Sequence, residues 1–228
     1  MPLNLPGNYP TSLLKGLKEK EVAHTQTWCH GRKDIVVGLL DIHRFTAACH
    51  NATASSSKVE LEAFFDLFYP GVVPAFSGQD GEINKLMGDG VFATFPSVFS
   101  ALQGSMRALK WWEVAQPVFP SCFRRHKLKL MAFVGILNIH SYRLGCPEHY
   151  IDTSWVGAEL NTFFKDAKDD VFSDHPDTCC WFNEKATNKL EKTLKQPRRR
   201  LLPTREAGTK NYCGLSISTG DEWLRGGK

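Results

Sequence analysis

The chain has 228 residues, 42% of them apolar and 23% charged, with a net charge of +4. This length and balance suit one well-buried domain and exclude a disordered chain, and the small positive charge suits a polyanionic ligand but is too weak to imply nucleic acid. No stretch is apolar for long enough to span a bilayer, and no secretory leader opens the sequence, so a cytoplasmic protein with its seven cysteines as thiols is expected.

Residues 1–32 read as a polar lead-in. The first strong signal is Asp34-Ile-Val-Val-Gly-Leu-Leu-Asp41, an apolar run that stops at a carboxylate, as a buried strand does. Beyond it, Ile42 to Thr46 leads into helical sequence, where free backbone N–H groups cradle phosphate oxygens; Arg44, Phe45 and Thr46 are candidates for that contact. Residues 59–69 carry helical periodicity, which Pro70 and Gly71 are expected to end, with a second short helix after them. Residues 82–87 and 91–95 are apolar runs around Gly88-Asp-Gly90, the signature of a hairpin. Ser97 is placed to cap a helix running to about Val114. Strands are expected at 127–137 and 178–182, a helix at 161–169, and a small hairpin around 212–217. The order fits an α+β fold of ferredoxin-like topology, a sheet with helices packed on one face.

Two carboxylates stand out. Asp41 ends the first strand and Asp89 sits at the hairpin tip, so neighbouring strands of one sheet would bring them side by side. Two ionised aspartates at short range repel and call for a cation between them. Magnesium and manganese hold carboxylates and bridge to phosphates. The same spacing also suits a strand-ending Asp and a turn Asp that are both solvated. His43, beside Asp41, is a candidate ligand or phosphate contact, or a neighbour facing away. Pro197-Arg-Arg-Arg200 reads as a solvated basic loop.

Asp41-Ile-His-Arg-Phe-Thr46 resembles the opening motif of class III adenylate and guanylate cyclases. Lys85-Leu-Met-Gly-Asp-Gly90 is similar to that family's hairpin, Phe133-Val-Gly-Ile136 to its central strand, and Trp155-Val-Gly-Ala-Glu-Leu-Asn161 to its later glycine-to-asparagine segment. The ordered set spans roughly residues 33–185, which would be the catalytic domain, leaving 186–228 as a C-terminal extension packed on it. The resemblance implies a phosphorus–oxygen lyase that closes a nucleoside triphosphate into a 3′,5′-cyclic nucleotide with two divalent cations, Mn²⁺ or Mg²⁺. Asp41, Ile42 and Asp89 would hold the metals. Lys85 would reach the base, Asn161 would orient the ribose, and Lys165 would stand where the family has a charge-stabilising arginine. The active sites would form at the interface of a homodimer, the metals on one chain and Lys85, Asn161 and Lys165 from the other.

Three departures modify that expectation. Lys165 lacks the planar fork of arginine. Arg44 replaces a glycine. Ser154 stands where many adenylate cyclases have a base-reading aspartate. With no recognisable sensor, receiver or membrane region, the chain resembles the bacterial pyrimidine cyclases of antiphage defence, the Pycsar systems. Their cyclic CMP or cyclic UMP acts on a separate effector. An adenylate cyclase making cyclic AMP is the alternative, and a regulatory nucleotide-binding homologue a further one.

Overall fold

The computed structural model describes residues 26–54, 58–125, 127–146, 149–174, 179–194, 205–207, 210–218 and 220. They fall into two compact units: one holds Lys33–Ile139 and the described residues from Gly157 onward, the other the residues up to Arg32 with His140–Val156. In chain order the elements are β1 (Gln26–His43), α1 (Phe45–Ala54), α2 (Lys58–Ser77), β2 (Glu82–Leu86), β3 (Gly90–Phe95), α3 (Val98–Ala115) and α4 (Ser121–Arg125). There follow β4 (Lys129–Cys146), β5 (His149–Val156), α5 (Ala158–Asp166), α6 (Asp170–Ser173), β6 (Cys179–Asn183), α7 (Glu184–Leu194), β7 (Arg205–Ala207) and β8 (Lys210–Ser216). The fold is α+β, as expected. The lead-in up to residue 25 and the basic run at 197–200 lie outside the described residues.

In the larger unit the strands run in the order β2-β3-β1-β4-β6-β8-β7. Pairing is antiparallel between β1 and β3, β2 and β3, and β6 and β8, and parallel between β4 and β6. The expected hairpin near residue 212 is present: β7 pairs with β8, which joins the sheet beside β6.

The side-chain alternation of the strands decides where helices pack. Along β4, Leu130, Ala132 and Val134 enter one core with Phe64, Leu109 and Trp112 of the helices α2 and α3. Between them, Phe133 points the other way, to Phe163 of α5 and Phe172 of α6. Helices therefore cover both faces, not one, because α5 and α6 bring their own aromatic side chains to the second face.

Helix α2 also departs from the expectation of a break at Pro70. It continues through Pro70 and Pro74 to Ser77. Local chemistry opposes this, since each proline removes an N–H donor. Packing overrides it: Phe64, Phe68, Val72 and Phe76 recur every fourth residue and are fully buried. Gly71 lets the helix approach α3, where a Cβ at that position would fall about 2.0 Å from the Trp111 ring. Helix α3 begins as expected, with Ser97 Oγ accepting from the Ser100 amide at 3.0 Å.

In the smaller unit the end of β4 forms an antiparallel hairpin with β5, from His140↔Val156 to Cys146↔His149. The expected strand at 127–137 is thus one arm of a longer element. The expected helix at 161–169 begins and ends three residues earlier, at Ala158–Asp166. Gly157 precedes it, its carbonyl accepting the first helical bonds from Leu160 and Asn161.

Candidate active site

The register of β1 on β3 sets Asp41 opposite Gly90, so Asp89 in the adjoining turn comes beside Asp41. The turn is held from three sides. The Met87 amide donates to the Gly90 carbonyl at 2.9 Å and the Asp89 amide to the Met87 carbonyl at 3.0 Å. The Tyr69 hydroxyl on α2 donates to the Gly88 carbonyl at 2.8 Å. Gly88 has φ of +75°, a left-handed conformation that favours glycine.

A cavity of about 150 Å³ opens here, lined by Asp41, Ile42, His43, Arg44, Phe45, Thr46, Asp89, Met131 and Lys168. The sequence reading had named Asp41, Ile42, Arg44, Phe45, Thr46 and Asp89, and all six meet in it. Arg44 is left-handed at φ +65°, in the position where the resemblance expects glycine. Its carbonyl accepts from the Ala48 amide at 3.1 Å, so it starts α1. Its exposed guanidinium donates from Nε to His43 Nε2 at 3.2 Å. His43 is therefore a partner of Arg44 as well as a wall of the cavity. Phe45 and Thr46, the first residues of α1, line the same cavity, and the free amides of a helix start suit phosphate oxygens.

The electrostatics suit a cation. Asp41 is 8% exposed. Burial, reinforced by the charge of Asp89 and partly offset by Lys168, pushes its pKa up to about 7. The Asp89 carboxyl is also pushed up, by burial, against the opposing pull of its own backbone amide and of Lys168. Among the described residues no group of three or more His, Cys, Asp or Glu side chains gathers as a metal centre. Two carboxylates alone do not make a closed structural site of the zinc kind. They do fit a magnesium- or manganese-type ion, which keeps waters and completes its shell with substrate phosphates.

Lys168 was missed by the sequence reading. It lies in the turn after α5, whose carbonyl and amide bonds include Ala167 to Phe163 at 3.0 Å and Asp169 to Asp166 at 2.9 Å. Buried Asp166 ties that turn to β8, accepting from the Tyr212 hydroxyl at 2.9 Å. A turn lysine carries no sequence pattern; the one hint is its place three residues after Lys165.

Lys85, Asn161 and Lys165 are not among the residues that line this cavity. Lys85 is exposed on β2, opposite Phe92. Asn161 and Lys165 are exposed on α5. Ser154 is in the smaller unit, opposite Tyr142 on β4.

No protein-family model matches the sequence, and neither does any curated protein. Solved structures do match. The guanylyl cyclase Cya2 superposes with a TM-score of 0.62 at 13% identity, over 82% of this chain and 92% of that one. A bacterial light-regulated adenylyl cyclase gives 0.61 at 12% identity, over 89% of this chain but only 58% of the longer one. A non-canonical dimeric guanylyl cyclase domain of the RhoGC fusion protein from the aquatic fungus Blastocladiella emersonii gives 0.59 at 10% identity, over 84% and 97%. The chain has the fold of these cyclase domains. No helix among the described residues is long and apolar enough to cross a membrane.

Proposed function

We propose that the protein is a nucleotide cyclase, converting a nucleoside triphosphate into a 3′,5′-cyclic nucleotide and pyrophosphate. The observation that carries this reading is the Asp41↔Gly90 register. It brings two carboxylates together, in a cavity that a helix start and a lysine also line, on a fold shared with adenylyl and guanylyl cyclases.

In the reaction the ribose 3′-oxygen bonds to the α-phosphorus, the bond from that phosphorus to the bridging oxygen breaks, and the hydroxyl proton is lost. Bound Mg²⁺ or Mn²⁺ would supply a lowered hydroxyl pKa and neutralise the phosphates. Asp41 and Asp89 would hold the ions, with the Ile42 backbone beside them, and the amides of Phe45 and Thr46 would fix phosphate oxygens. Such positioning and charge neutralisation account for most of the acceleration in phosphoryl transfer. Lys85, Asn161 and Lys165 would act on the site of a second copy, reading the base, orienting the ribose and stabilising the transferring group. Their exposure outside the carboxylate cavity supports that division.

For the base we favour a pyrimidine, giving cyclic CMP or cyclic UMP for a separate effector in antiviral defence. The resemblance to the Pycsar cyclases supports it, and Ser154, in place of aspartate, is compatible with it through a small hydroxyl that donates or accepts.

The test incubates the purified protein with Mn²⁺ and ATP, GTP, CTP or UTP separately, identifies products by mass spectrometry, and uses Asp41→Ala as control. Cyclic CMP or cyclic UMP lost in the variant supports the full reading. Cyclic AMP or GMP overturns the pyrimidine assignment and the defence role with it. No cyclic product from any triphosphate overturns the cyclase reading and leaves a nucleotide-binding homologue.

A further inference from the structure

We infer that Lys168 is a phosphate-binding residue in cis, placing a cation for the triphosphate on the same chain that holds the carboxylates. This deepens the cyclase proposal and rests on its triphosphate substrate.

The lysine lines the cavity with Asp41 and Asp89, and its charge acts on both of them. Yet it forms no direct ion pair with either, although all three residues are described. An ammonium that served only to neutralise one buried and one half-buried carboxylate would close onto them, since contact strengthens the attraction. Instead it shares the lining of an open cavity with Phe45 and Thr46 at the start of α1, and a helix start is a donor of N–H groups. A phosphate group bound there would meet both the amides and the ammonium, with the carboxylate-held cation adjacent.

The backbone is built to keep the lysine there. The turn that carries it is tied to β8 through the buried Asp166–Tyr212 hydrogen bond. Met131 of β4, 2% exposed, lines the same cavity. Lys165 is one turn earlier on α5 and does not line the cavity, so the two lysines of this segment serve different places.

The role predicts opposite signs for two ligands. Lys168 repels a divalent cation and attracts a polyphosphate. In Lys168→Met, Mn²⁺ alone, followed by electron paramagnetic resonance, binds more tightly than in the native protein. Inorganic tripolyphosphate in Mg²⁺, followed by calorimetry, binds about 10- to 100-fold more weakly, the loss of a charge-assisted contact. Lys168→Arg restores tripolyphosphate binding, and circular dichroism with urea midpoints confirms that both variants fold. Tripolyphosphate affinity unchanged in Lys168→Met, weaker binding of both ligands, or no tripolyphosphate binding to the native protein would overturn the inference. The cyclase reading fails on a different result: no cyclic product from the native protein, whatever the binding pattern.

Discussion

Replacing Asp41 by asparagine should stabilise the metal-free protein at alkaline pH. The Asp41 pKa rises from 3.8 to about 7 on folding, so the folded state favours its acid form. Stability from this group is fully present below pH 3.8, declines as the pH rises, and is gone above about 7. A shift of about three units corresponds to about 4 kcal/mol. That is a large share of the 5–15 kcal/mol typical of a folded domain. Asp41→Asn keeps the shape without the charge. In urea titrations with EDTA, it should exceed the native protein by up to about 4 kcal/mol at pH 8 and match it near pH 4. Mn²⁺ should raise the native midpoint at pH 8 and leave the variant's nearly unmoved, because an ion bound only by the folded state adds stability by mass action. An equal difference between variant and native at pH 4 and pH 8, or no difference at pH 8, would refute the argument that desolvation and Asp89 govern this carboxyl.

Removing the neighbouring charge with Asp89→Asn should move the Asp41 titration to lower pH, since Asp89 raises it; carbon NMR of the carboxyl reads this directly. Tyr212→Phe should cost about 1–3 kcal/mol in urea denaturation, by leaving buried Asp166 without its hydroxyl donor. Gly71→Ala should destabilise by about 1–3 kcal/mol, because the new methyl group meets the Trp111 ring, which has to move; an unchanged urea midpoint would contradict the close approach of α2 and α3.

The core of the site could be read from the chain because its signals are local. An apolar run ending at Asp41, and a hairpin turn at Gly88-Asp-Gly90, each point to one element, and strand pairing does the rest. What escaped depends on contacts distant in sequence. The continuation of α2 past Pro70 follows from a buried aromatic stripe meeting α3, which outweighs the local preference for a break. The placement of α5 and α6 on the second face depends on Phe133 meeting Phe163 and Phe172, residues thirty and more positions away. The long hairpin of β4 and β5 was missed because its sequence, from His140 to Val156, mixes polar and apolar residues without a run. Lys168 is one exposed lysine among many until the Asp166–Tyr212 bond fixes its turn.

The arrangement also bears on why one chain would not suffice for the proposed reaction. Lys85 and Asp89 are four residues apart on one hairpin, yet Asp89 enters the cavity and Lys85, exposed on β2, does not line it. In the proposed reaction the lysine would be needed at the base and the aspartate at the phosphates, yet only Asp89 lines the cavity. The conflict disappears if each serves a different nucleotide, which a symmetric pair of chains allows. Cyclase activity should then depend on protein concentration, with specific activity falling on dilution below the dimer dissociation constant. Tripolyphosphate binding, which calls only on Asp41, Asp89, the start of α1 and Lys168, should survive that dilution. Mixing a Lys85→Ala chain with an Asp41→Ala chain should restore one working site per mixed dimer, roughly a quarter of native activity at equal mixing for random association. No recovery on mixing, together with full activity at high dilution, would assign the whole reaction to a single chain.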